Sequence, residues 1–143
     1  MGIERTLCII KPDAVEKRKQ GHIVQRLLDE GFAILAMKQL TLSRAVAEGF
    51  YAVHRERPFF TDLVAFMTRG PVVVVALERE EAVSHYRQVI GATDPAKAEA
   101  GTVRKLYGSN VGENAVHGSD SVDNGRQEVA YFFAESEISR VRR

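Results

Sequence analysis

The run Pro71-Val72-Val73-Val74-Val75-Ala76-Leu77 constrains this fold more than any other stretch. β-Branched residues dominate it, and their stiff side chains favour extended backbone. No polar residue alternates with them, so the strand has no face to offer water and must lie centrally or be well covered. It is strand-sized and far short of a membrane span.

Around this run the apolar pattern changes period several times. "RTLCIIK" (5–11) reads as a first strand, broken by Pro12-Asp13, and "AILAMKQLTL" (33–42) as a second. The run 71–78 is the third, and "NAVHG" (114–118) a very short fourth. Between them lie helical patterns. In 21–32, Ile23, Leu27 and Leu28 share a face and Gly31 supplies a stop. Ser43 can cap a helix over 44–54 with Val46, Phe50 and Val53 in a stripe. After Pro58, Leu63, Phe66 and Met67 mark another over 59–69, and Gly91 ends one over 80–90. Val122, Val129 and Phe132 predict an inward face for a helix over 121–133, although Asn124-Gly125 is a turn signal. Residues 91–113 look irregular, a length that marks either function or poor order, and the tail 139–143 looks exposed and frayed.

The order is strand, helix, strand, helices, strand, helix, strand, helix. It predicts an α+β fold of the split βαβ type, a four-stranded antiparallel sheet with helices mainly on one face. With 143 residues and no linker or repeat, one domain over 1–143 is expected.

The formal net charge of +1 gives no global field toward nucleic acid or membrane, so any anion must be held by a local cluster of cations. The basic run "EKRKQGH" (16–22) reads as a solvated loop or helix end. Cys8 is the single cysteine, so no internal disulfide can form, and within "TLCII" it reads as a small buried hydrophobe. Glu4, Arg5 and Lys11 interrupt the N-terminus, so no signal peptide is expected; the reading is a soluble, cytoplasmic chain.

Motifs exclude several chemistries. There is no P-loop and no G-x-G-x-x-G. His54-Arg55-Glu56 has the H-x-E of zinc deaminases, but one cysteine cannot supply their P-C-x-x-C. "DSVDNG" (120–125) begins like a calcium loop, yet Val122 fills a ligand position and Tyr131 stands where a bidentate Glu belongs. His117 remains, at a strand end and followed by Gly118, Ser119 and Asp120. A neutral imidazole can act as a covalent nucleophile when one nitrogen faces substrate and the other is fixed by a carboxylate or carbonyl. Glu128 is available as that carboxylate, and Gly118 would permit close approach. On residue types alone a satisfied structural histidine is the commoner reading. Lys11, Arg87 and Arg104, with Thr93, could supply three cations and a hydroxyl for a polyphosphate, or each could be a surface charge.

"NAVHGSDS" resembles the active-site signature of nucleoside diphosphate kinases, and "ERTLCIIKPDAV" their first strand and turn. "FYAVHRERPFF", "FMTRGPVVV", "GATDPA" and "GTVR" are similar to further blocks of that family, in its order and spacing, from Ile3 to Glu137. The resemblance implies a ferredoxin-like domain assembling through dimers, as a tetramer or hexamer. It implies transfer of a γ-phosphoryl group between nucleotides through a phosphohistidine. His117 would be the nucleophile, Glu128 would hold the far ring nitrogen, and Ser119 would join the surrounding hydrogen bonds. Lys11, Tyr51, Arg87, Thr93, Arg104 and Asn114 would surround phosphates and ribose, and the base would lie between Phe59 and Val111. Mg2+ would bridge the phosphates and reach the protein mainly through water, with no protein metal cage. The substrates implied are ATP, GTP, CTP and UTP, their deoxy forms and the diphosphates, with no obligatory nucleic acid and no membrane. Three places depart from the family's usual pattern: Lys105-Leu106, Ala100 and "EREE" (78–81). The first bears on charge balance beside the nucleotide. A binding module that has lost turnover is the competing class.

Overall fold

The computed structural model describes residues 2–139. Four strands, β1 (Ile3–Ile10), β2 (Ala33–Leu40), β3 (Val72–Glu80) and β4 (Val116–Gly118), form one sheet in the order β2-β3-β1-β4. Every neighbouring pair is antiparallel, with Cys8 opposite Val75 and Ile9 opposite both Val74 and His117. The valine run therefore sits in an inner strand, and Val72 to Leu77 are all buried. The expected α+β architecture of the split βαβ type is the observed one.

Helices cover both faces of the sheet, not mainly one. On one face α2 (Gln20–Asp29) and α5 (Ala82–Ile90) pack Ile23, Leu27, Tyr86 and Ile90 on Cys8, Ile10, Val73 and Val75. On the other, Ala47 of α3 (Arg44–Phe50), Val64 and Met67 of α4 (Phe60–Met67) and Val129 and Phe132 of α7 (Val122–Phe132) cover Leu7, Ile9, Val72 and Val74. The two crossover helices fall on one side because β-to-β crossovers are right-handed. Helices inserted between β2 and β3, and after β4, seal the opposite side.

Several local expectations change. Pro12 does not only break β1; it opens a short helix, α1 (Pro12–Glu16), where a missing N–H costs nothing. Residues 91–113 are partly ordered into a 3-10 turn (Pro95–Lys97) and α6 (Val103–Tyr107), whose cap is Thr102. Five residues are too few to show helical periodicity. The pattern over 44–54 splits at Tyr51 into α3 and a 3-10 turn (Ala52–His54). Ser139 is exposed but tied down, its N–H donating to Leu35 O at 2.7 Å; residues 140–143 of the expected frayed tail lie outside the described residues. Cys8 is fully buried, and burial pushes its thiol up to about 12.

Candidate active site around His117

The chain reaches His117 through a strained turn. Ala115 has φ +75°, and Val116 N–H donates back to Asn114 O at 2.9 Å, a γ-turn with a left-handed central residue. Such a conformation costs on the order of 1–3 kcal/mol and persists only where its surroundings over-determine it. Here two bonds from the end of β1 and the start of α1 hold it. Asp13 Oδ2 accepts from Ala115 N–H at 3.1 Å, and Lys11 N–H donates to Ala115 O at 2.8 Å. Asp13 is only 2% exposed, and burial raises its carboxyl above the usual range. In the sequence Asp13 stands only as part of the Pro12-Asp13 break, and its place beside Lys11 is the one signal of this duty.

β4 then fixes the ring. His117 Nε2 lies 2.8 Å from Glu128 Oε1, and the same carboxylate oxygen accepts from Ser119 Oγ at 2.7 Å. Ser119 is fully buried and accepts in turn from Leu7 N–H at 3.2 Å, so the network is anchored on β1. Because Glu128 is an acceptor, Nε2 carries the proton in the neutral ring and Nδ1 keeps its lone pair. Among the described residues Nδ1 has no hydrogen-bond partner. Phe50 meets the imidazole edge-on at 5.2 Å between centroids, and Tyr51 does so at 6.3 Å. Tyr86 OH donates to His117 O at 2.8 Å from beneath. A Cβ on Gly118 would stand 2.6 Å from the Tyr86 ring, so the close approach at this glycine is that of Tyr86. Asp120 does not join the ring's network; it bonds to Asn124.

The expected cations do gather. Lys11 Nζ donates to Asn114 Oδ1 at 2.8 Å, and Asn114 Nδ2 to Thr93 O at 3.0 Å. Arg104, buried, donates from Nη2 to Val116 O at 2.9 Å and from Nη1 to Gly91 O at 3.1 Å. Burial, then Arg104, push the Lys11 ammonium down to about 8. Burial also lowers Arg104, and repulsion by Arg87 of α5 lowers it further. Two buried polar atoms here lack any protein partner among the described residues, Arg104 Nε and Tyr51 OH. Burial, then the Glu128 charge, push the Tyr51 phenol above its usual range, so it stays a neutral donor.

Phe59 is 49% exposed and Val111 56% exposed, both standing at the surface. Phe59 connects inward through rings: it lies 5.4 Å from His54, which stacks on Tyr51 at 6.4 Å. Tyr86 is a part of the surroundings that residue types alone do not single out, and His54, notable in the sequence only as half of an H-x-E pair, is another. Lys105, one of the departures, turns its ammonium to Ala96 O at 3.4 Å, and Leu106 is exposed. Among the described residues no three His, Cys, Asp or Glu side chains cluster as metal ligands. Among the described residues no helix is long and apolar enough to cross a membrane.

Comparison with known proteins agrees with the geometry. The nucleoside diphosphate kinase family model matches residues 4–138. The chain is 65% identical over 139 residues to the nucleoside diphosphate kinase of Sorangium cellulosum, covering 97% of this chain and 96% of that protein. It is similar to the solved Aquifex aeolicus nucleoside diphosphate kinase, with a TM-score of 0.94, 44% identity and coverage of 96% and 99%. It is also similar to that of Halobacterium salinarum solved in complex with CDP, with a TM-score of 0.94, 38% identity and coverage of 99% and 95%.

Proposed function

Since the chain belongs to the nucleoside diphosphate kinase family, whose enzymes transfer phosphate between nucleotides, we propose that it does so by a ping-pong reaction through a phosphohistidine on His117. The observation that carries this reading is the Ser119–Glu128–His117 chain of bonds, which leaves Nδ1 as the free nucleophilic nitrogen. In the first half-reaction the Nδ1 lone pair forms a bond to the γ-phosphorus. The bond from that phosphorus to the β,γ-bridging oxygen breaks, and the diphosphate leaves with the electron pair. Glu128 steadies the positive charge that develops on the ring. In the second half-reaction a terminal oxygen of another nucleoside diphosphate attacks the phosphorus and returns the electron pair to Nδ1.

Phosphoryl transfer asks mainly for positioning and charge stabilisation. Lys11, Arg87 and Arg104 supply charge; Thr93 and Asn114 supply polar groups for phosphate and ribose; Tyr51 can donate its phenol proton to a phosphate oxygen. The two orphaned atoms, Arg104 Nε and Tyr51 OH, fit an anionic ligand. The donor set is cationic, so Mg2+ would fit as a companion of the phosphates rather than as a ligand of the protein, and when bound it would supply further neutralisation of phosphate charge. Phe59 and Val111 offer the base two apolar surfaces, which suits ATP, GTP, CTP, UTP and their deoxy forms alike. A cytoplasmic single-domain protein, 1–143, assembling from dimers into a tetramer or hexamer, with no need of nucleic acid, completes the proposal.

Incubation with Mg·ATP should leave acid-labile, base-stable phosphate on the protein, and His117→Ala should abolish both label and turnover. Absence of label in the unaltered protein would favour a nucleotide-binding module instead.

A further inference from the structure

Resting on that reading of the site, we infer that Arg69 is a positioning residue for the nucleotide base: it locks the two surfaces that carry Phe59 and Val111 into one frame. Phe59 stands immediately before α4, and Arg69 lies two residues past that helix's end. From there the guanidinium reaches two carboxylates on two other segments. Nε donates to Glu16 Oε2 at 2.9 Å and Nη2 to Glu16 Oε1 at 2.7 Å, a paired contact with the last residue of α1. Nη1 donates to Glu113 Oε2 at 3.3 Å and Nη2 to Glu113 Oε1 at 3.2 Å. The flat guanidinium also lies 4.8 Å above the Phe66 ring, which fixes its plane. One planar fork therefore serves two carboxylates at once, a geometry that an ammonium cannot reproduce.

Glu113 is the knot of the segment that presents Val111. Its carbonyl accepts from Ser109 N–H at 2.8 Å and from Asn110 N–H at 3.3 Å. Asn110 Oδ1 accepts from Gly112 N–H and Glu113 N–H, each at 3.0 Å. Val111 is the exposed tip of this closed loop, and Asn114 follows Glu113 directly. Lys17 holds the loop's other end, donating to Tyr107 O at 2.8 Å and Ser109 Oγ at 3.0 Å. The loop is thus rigid within itself and attached to α1 at one side. Among the described residues Arg69 is the side chain that bonds it to the end of α4, through Glu113.

Exposed ion pairs add little to global stability. Their value here lies in ordering a loop before ligand arrives, which removes an entropic cost from binding. The test compares wild type, Arg69→Ala, Arg69→Lys and Glu113→Gln. For Arg69→Ala we expect KM for nucleoside diphosphates to rise roughly five- to tenfold through lost preorganisation. Turnover at saturation should stay within about twofold, since Arg69 makes no bond to His117, Glu128 or Lys11. Arg69→Lys should recover only part, and Arg69→Ala with Glu113→Gln should be less than additive. The loss should spare inorganic triphosphate, which has no base. Amide hydrogen exchange should quicken at Gly112 and Glu113 while β1 and β3 stay protected. An unchanged KM, an equal loss for inorganic triphosphate, or unchanged exchange at the loop would overturn the inference. If wild type itself binds no nucleotide, the site reading fails first; if wild type binds and Arg69→Ala binds equally, only the clamp fails.

Discussion

Lys11 holds its charge in a place that resists charge. Its pKa of about 8 comes first from burial and then from Arg104, partly offset by Asp13. A base whose folded pKa is depressed destabilises the fold where it is protonated. The penalty is fully present below about 8 and relieved as pH rises toward 10.5, the ordinary value. Phosphate reverses the balance, because an anion beside Lys11 favours the ammonium. Nucleotide affinity should therefore be flat in Lys11 ionisation below pH 8 and fall above it, by up to about tenfold per pH unit. Calorimetry above pH 8, in buffers of different ionisation heat, should show proton uptake on binding. No uptake would place the phosphates elsewhere. The cations were legible in the sequence because Lys11 ends an apolar strand, an odd place for an ammonium. Asp13 was not, because its partner is a backbone N–H at a turn whose left-handed conformation at Ala115 leaves no mark on residue type.

At the scale of elements, α7 shows how a local signal can carry the opposite meaning. Asn124-Gly125 reads as a turn, yet both residues lie inside a helix capped by Ser121, whose side chain accepts from Asn124 N–H. Gly125 is there for room: a Cβ would collide with the carbonyl oxygen of Arg5 in β1. In an open helix Gly→Ala stabilises by about 1 kcal/mol. Here Gly125→Ala should destabilise instead, by roughly 1–3 kcal/mol, since a strand backbone cannot yield as a side chain would. Urea unfolding gives the sign directly. The same substitution should slow phosphorylation of His117, because Glu128 lies one turn further along α7 and would be lifted away from the ring. A stabilised protein would mean that the helix shifts without resistance. The helix itself could be read from Val122, Val129 and Phe132, but a strand's carbonyl oxygen lying against Gly125 could not.

For the whole molecule, sequence order foretold the sheet but not its second cover. The two crossovers obey a handedness rule, whereas the side taken by α3, α4 and α7 depends on Leu7, Ile9 and Val74 having a second apolar face to bury. The site sits at the end of this doubly covered sheet, with Phe59 and Val111 open to solvent. Rejection of a wrong base by about 10⁴–10⁵ needs buried polar groups that it leaves unpaired. These two exposed apolar residues are not such groups, so single-turnover labelling should succeed with ATP, GTP, CTP and UTP, purines modestly ahead. Strict use of one base would require a polar contact to the base edge.

β4 lies at an edge of the sheet, where unpaired backbone groups ordinarily invite another chain. Val116 gives no such invitation: Arg104 takes its carbonyl, and its N–H is spent within the turn on Asn114. With only three residues, β4 is also too short to template a partner. The contacts that aim the histidine thus also blunt this border of the sheet against strand addition.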